Sequence, residues 1–84
     1  MKKIDDNTKA KLLLAGFSAN AIKITSQLWA RFNITGYLTT QNARINNAAG
    51  KLQSSLYMQT GEFVEFATMR KLLLKILRLK KNED

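Results

Sequence analysis

The fold is decided by residues 18–33, which read SANAIKITSQLWARFN. Apolar residues recur here at helical spacing and share one side of a helical wheel. They are Ala21, Ile22, Thr25, Leu28, Trp29 and Phe32. Lys23, Gln27 and Arg31 follow each other at intervals of four on the opposite side. Ser18 is a residue type that favours the N-cap. The stretch therefore predicts an amphipathic helix with one face in a core and a cationic face in solvent.

The flanking sequence predicts two more helices, on either side of this one. Before it, a helix is expected from about residue 8 to residue 15, with a cap among the polar residues 5–7 and an end at Gly16. This helix is expected to contribute Leu12, Leu13 and Leu14 to the core. After the break at Thr35-Gly36, a helix is expected from about residue 38 to residue 57. Its apolar stripe is narrow: Leu38, Ile45, Ala49, Leu52 and Leu56. Gly50 falls in the middle of that helix, where glycine costs about 1 kcal/mol relative to alanine.

A fourth helix is expected to start directly after Thr60-Gly61 and to run to about residue 80. Its predicted apolar side consists of Phe63, Phe66, Ala67, Leu73, Leu74 and Leu77. A β-hairpin over residues 56–66 is an open alternative, because two β-prone runs flank the Thr60-Gly61 turn. With these elements, the 84 residues predict an all-α fold: a small bundle of about four helices. We expect one domain over residues 1–84, with short flexible ends at residues 1–5 and 81–84.

The charge of the chain is strongly positive and unevenly distributed. Fourteen lysines and arginines stand against 6 acids, which gives a formal charge of +8. No acid occurs between Asn7 and Gly61. An acid-free basic stretch attracts polyanions, which include nucleic acids, acidic protein surfaces and anionic lipid.

Residue types that catalysis and metal binding usually need are missing. The chain has no cysteine and no histidine, so the usual zinc ligands and the commonest general base are absent. Glu62 and Glu65 are more simply explained as acids at the start of the fourth helix. We therefore expect no enzyme, no cofactor and no metal site. No apolar run is long enough to span a bilayer, and we expect a cytoplasmic location.

Two polar faces are candidate nucleic-acid contacts. Arginine and asparagine or glutamine can pair with base edges, and lysine contacts phosphates. The second predicted helix contributes Lys23, Gln27 and Arg31, and the third contributes Arg44, Asn47 and Lys51. Residues 8–27 also resemble a helix-turn-helix around Gly16, although an ordinary αα-corner is the favoured interpretation of this junction.

The C-terminal stretch, residues 70–81, is a basic amphipathic helix. Its candidate contacts with a partner or with a second copy are Leu73, Leu77, Arg70, Lys71, Lys75 and Arg78. Packing on the core or formation of a homodimer is the favoured interpretation. Docking into a partner's groove or onto an anionic membrane surface is an alternative, and we regard the membrane as the less favoured of these two.

These features favour a small DNA-binding accessory or regulatory protein, with duplex DNA as the expected partner. The small size, the excess of lysine over arginine and the abundant asparagine suggest a bacterial or phage source. The alternative is a helical protein-interaction module, an inhibitor or adaptor. It would dock its basic surface on an acidic or nucleic-acid-binding surface of a larger protein.

Overall fold

The computed structural model describes residues 4–32 and 42–83, with the backbone alone for residues 42 and 80–83. Within these ranges the chain forms four α-helices and no strand: α1 (Asp6–Leu14), α2 (Ala19–Phe32), α3 (Asn42–Thr60) and α4 (Phe66–Glu83). The predicted all-α bundle is confirmed, and the alternative hairpin at residues 56–66 is wrong. The expected break at residues 35–36 and the core position at residue 38 lie outside the described residues.

Helix α1 begins at an aspartate cap and ends at a glycine. The Asp5 carboxylate accepts a hydrogen bond from the Thr8 backbone N–H at 2.8 Å. This bond holds the pKa of Asp5 below its usual value, because it favours the charged form. Gly16 takes a φ of +97°. The N–H groups of Gly16 and Phe17 then bond back to the carbonyls of Leu13 and Leu12 at 3.0 and 3.2 Å, which closes a Schellman motif.

Only one of the three consecutive leucines of α1 enters the core. Leu12 is fully buried, whereas Leu13 is 51% exposed and Leu14 is 88% exposed. The prediction that all three supply the core was wrong. Successive residues are turned by about 100° around a helix, so three in a row cannot all face one side.

Helix α2 packs as its periodicity predicts. Ala21, Ile22, Thr25 and Trp29 are buried, and Ile24 joins them in the core. The buried Thr25 hydroxyl donates to the Ala21 carbonyl at 2.7 Å, so its polar group has a partner. Ser18 caps the helix by accepting a hydrogen bond from the Ala21 N–H at 3.1 Å.

Helix α3 buries the described part of its predicted stripe, which is Ile45, Ala49, Leu52 and Leu56. It extends to Thr60, three residues further than predicted, and stops at Gly61, whose φ is +76°. The Gly61 N–H donates to the Tyr57 carbonyl at 2.8 Å, which closes the last turn. A left-handed residue at this position cannot continue a helix, and glycine adopts it without strain.

Helix α4 starts at Phe66, so the prediction that it begins directly after Gly61 was wrong. Residues 61–65 form a linker that is neither helix nor strand, and the Val64 carbonyl accepts a hydrogen bond from the Gln53 side chain at 3.1 Å. Phe63 is 65% exposed and Phe66 is 40% exposed, and Ala67 is also exposed. The predicted apolar side was therefore wrong at these three positions. The buried side of α4 is Met69, Leu72, Leu73 and Ile76.

The four helices close a ring around the core. Helix α3 packs on α2 and α4, and α1 completes the ring by packing on the same two helices. Leu73 is fully buried inside this ring, which leaves its side chain no surface to offer a second copy. Leu77 is half-buried beside it. Among the described residues, no helix is long and apolar enough to cross a membrane.

Candidate functional site

The main candidate site is a shallow groove between α2 and α3, with a volume of about 550 Å³. We call it the α2–α3 groove. From α2 it is lined by Leu28, Arg31 and Phe32. From α3 it is lined by Asn46, Asn47, Gly50, Lys51, Ser54 and Ser55. Two cations, two amides and two hydroxyls thus surround a floor that includes half-buried Leu28 and Phe32.

A second, smaller groove lies on the other flank of α2, between α2 and α1. This α1–α2 groove has a volume of about 370 Å³, and its polar residues are Lys9, Lys23, Ser26 and Gln27. Because Lys23, Gln27 and Arg31 are all exposed and repeat every four residues, they form a row along the outer face of α2. That row connects the two grooves over about 12 Å of helix.

The six residues predicted from the sequence as nucleic-acid contacts divide between these surfaces. Arg31, Asn47 and Lys51 meet in the α2–α3 groove, although the first and last are 20 residues apart in the chain. Lys23 and Gln27 line the α1–α2 groove. Arg44 is exposed on α3, two turns before Lys51 and on the same side of that helix.

The electrostatic character of both grooves is cationic. Among the described residues that line them, none is an aspartate or a glutamate. Lys9 lies 4.0 Å from the carboxylate of Asp6, which is fully exposed. Solvent screens such an exposed ion pair, so it offsets little of the lysine's field. The grooves can therefore attract an anion along both flanks of α2.

Glu62, an acid of the linker between α3 and α4, lies at the other end of α2, away from Arg31. The Glu62 carboxylate accepts a hydrogen bond from the Ser18 hydroxyl at 2.5 Å and one from the Asn20 amide at 3.4 Å. Glu62 thus sits at the positive start of α2 and not, as its sequence position suggested, in the first turn of α4. The contact joins the α1–α2 junction to the α3–α4 linker.

The C-terminal cations are on a different helix of the ring from the α2–α3 groove, with one connection to it. The Arg70 guanidinium donates through Nε to the Asn46 Oδ1 atom at 2.7 Å, which links α4 to α3. Lys71, Lys75 and Arg78 are exposed on α4. Nothing in the described residues shows a second copy or a partner against them, so their role in self-association stays a prediction.

Sequence reasoning missed several residues of the grooves. Asn46, Ser54 and Ser55 lie on the polar side of α3 and line the α2–α3 groove, but they were not among the predicted contacts. Lys9 was not connected with Lys23, because only the packing of α1 on α2 brings them to one groove. The acid-free stretch of sequence indicated a positive surface, but it does not show which cations line the same groove.

The described residues hold no group of three or more acids that could bind a metal ion. Comparisons of the chain with protein-family models, curated protein sequences and solved structures find no match. The function is therefore inferred from the chain's own residues.

Proposed function

We propose that this chain is a cytoplasmic nucleic-acid-binding protein, an accessory or regulatory factor that holds duplex DNA against α2 and its two grooves. The observation that carries the proposal is the α2–α3 groove, where Arg31 and Lys51 from two helices face one acid-free space. Phosphate contacts by lysine and arginine supply most of the affinity of non-specific DNA binding.

The arrangement of the helices supports a duplex as the ligand. Helix α2 occupies one corner of the ring, and its outer face bears Lys23, Gln27 and Arg31. The major groove of B-DNA is about 12 Å wide and admits one α-helix. With α2 in that groove, Lys9 on one flank and Lys51 on the other are placed to meet phosphates of the two strands.

A salt titration of DNA binding tests the proposal. We expect a labelled duplex to bind with a Kd on the order of micromolar or tighter at physiological salt, measured by fluorescence anisotropy. Each lost phosphate contact makes the negative slope of log K against log salt shallower by about 0.9. The double variant Arg31→Ala/Lys51→Ala should therefore bind more weakly, with a slope shallower by about 2.

A matched control separates the groove from the overall charge. Lys71→Ala/Lys75→Ala also removes two cations, but from exposed positions on α4 that line neither groove. This variant should keep most of the affinity, and circular dichroism should show both variants folded. An equal loss of DNA affinity in the two variants would show that binding depends on the overall positive charge and not on the α2–α3 groove. Failure of duplex and single-stranded nucleic acid to bind at low salt would refute the proposal. Pull-down from a nuclease-treated extract would then test the protein-interaction alternative.

A further inference from the structure

Gly50 occupies a position where neither its own backbone nor the packing of the described residues needs a glycine. It is the ninth of the 19 residues of α3, in the middle of the helix. Positive φ angles among the described glycines occur at Gly16 and Gly61, and Gly50 is helical. Among the described residues, none would lie within 4 Å of a Cβ atom built at Gly50. An alanine would therefore fit and would favour the helix.

The location of Gly50 offers a reason for the missing side chain. Gly50 lines the α2–α3 groove next to Lys51 and across from Arg31. Without a Cβ, the backbone of α3 can be approached closely by a ligand, which is a recurrent use of glycine. The space that a side chain would fill is open toward the two cations of the groove.

Asn46, one turn before Gly50, is oriented by a contact from α4. Its Oδ1 atom accepts the hydrogen bond from Arg70 Nε at 2.7 Å. An arginine side chain only donates, so the carbonyl end of this amide must point toward α4. The amide nitrogen, with its two N–H donors, is then the end left for the groove.

We propose that Gly50 marks a phosphate subsite, at which a phosphate group lies against α3 between Arg31 and Lys51 and accepts a hydrogen bond from the Asn46 amide. This inference rests on the proposed function, since it places one phosphate of the nucleic-acid backbone. Arg70 acts through Asn46 and is a positioning residue. The cations and donors of the subsite match the acceptor oxygens of a phosphate.

The variant Gly50→Ala separates stability from binding. It should raise the melting temperature by about 4–8 °C, because alanine is the better helix former and meets no clash. It should also weaken duplex binding by about tenfold, since the methyl group displaces the phosphate from the backbone. The charge is unchanged, so this loss cannot be a general electrostatic effect. An unchanged affinity would overturn the inference, as would a lower melting temperature, which would show that the glycine serves the fold.

A titration with inorganic phosphate keeps the inference and the proposed function distinguishable. In an NMR titration, phosphate should shift the amide signals of Asn46, Gly50 and Lys51 in the wild type and much less in Gly50→Ala. Phosphate shifts without any DNA binding would keep the subsite and remove the proposed function, which would point to free phosphate or a small phosphate ester as the ligand. Tight DNA binding that Gly50→Ala leaves intact would keep the function and remove the subsite.

The role of Arg70 is tested by conservative replacement. Arg70→Lys keeps a donor for the Asn46 carbonyl and should retain the affinity for duplex DNA. Arg70→Met removes that donor, so it should weaken DNA binding and shift the NMR signals of the Asn46 side-chain amide. Lys11→Met also removes one positive charge, from an exposed position on α1 that lines neither groove, and should bind DNA as the wild type does. Equal affinities of Arg70→Met and Lys11→Met would show that Arg70 does not position Asn46.

Discussion

The contact between Glu62 and the start of α2 gives a quantitative prediction about stability. The Ser18 hydroxyl donates to Glu62 at 2.5 Å and accepts from the Ala21 N–H at 3.1 Å, so the carboxylate reinforces the cap of a helix 44 residues away in the chain. The Asn20 contact, at 3.4 Å, adds less. Replacing Glu62 therefore weakens both the cap and the connection between two loops.

The magnitude follows from the geometry and the exposure. A hydrogen bond to a charged group contributes about 1.5–3 kcal/mol when it is shielded from water. Glu62 is half-buried, so solvent screening reduces that contribution. Glutamine keeps one acceptor oxygen but loses the charge at the positive end of α2, which is worth about 0.3–1 kcal/mol. We expect Glu62→Gln to lower the free energy of unfolding by about 1 kcal/mol, equivalent to about 4–8 °C in melting temperature for a chain of this size.

A double-mutant cycle with Ser18→Ala measures the contact itself. Chemical denaturation of the wild type, the two single variants and the double variant should give a coupling energy on the order of 1 kcal/mol. Glu65→Gln is the matched control, because Glu65 is exposed directly before α4 and has no hydrogen bond between its side chain and the other described residues. A coupling energy near zero would refute the reasoning. An equal loss from Glu65→Gln would attribute the effect to charge alone.

Two further predictions concern α1. Leu12→Ala should destabilise the fold by about 2–5 kcal/mol, whereas Leu14→Ala should change it by less than about 0.5 kcal/mol, because Leu12 is fully buried and Leu14 is 88% exposed. If urea denaturation gave similar losses of unfolding free energy for Leu12→Ala and Leu14→Ala, the assignment of Leu12 to the buried face of α1 would be wrong. The folded-state pKa of Asp5 is lowered from 3.8 mainly by the Thr8 backbone hydrogen bond. Its contribution to stability is therefore present above the unfolded-state pKa and is lost as the pH falls through the folded-state pKa. Asp5→Ser keeps a capping oxygen that does not titrate, so its melting temperature should fall less than that of the wild type on acidification below about pH 4. Parallel acid profiles would contradict this assignment.

The buried faces of α2 and α3 and the cap at Ser18 were predictable because they depend on neighbours in sequence. The period of residues 18–33 indicated the buried face of α2, and the stripe of α3 from Ile45 to Leu56 is the observed one. The start and face of α4 were not predictable. Apolar residues follow each other closely from Leu72 to Leu79, so several faces satisfy a helical period, and the sequence does not show which of them is buried.

The candidate site was predictable only in part, for a related reason. Helical periodicity placed Lys23, Gln27 and Arg31 on one outer face and set Asn47 and Lys51 on another. It could not say that Arg31 and Lys51 line one groove, because that depends on the packing of α2 against α3. The acid-free interior of the sequence predicted a positive surface without locating it.

The sequence by itself determined the helical class, the cap at Ser18, a cap of α1 within residues 5–7, and the positive charge, since each of these is local or additive along the chain. Only the tertiary structure decided which side chains meet. The pairs Ser18–Glu62 and Asn46–Arg70 join residues 44 and 24 positions apart, and the groove around Gly50 exists only between packed helices. Such contacts depend on how the core closes, because burial of the apolar faces sets the helix arrangement and the polar side chains then bind whatever it places beside them.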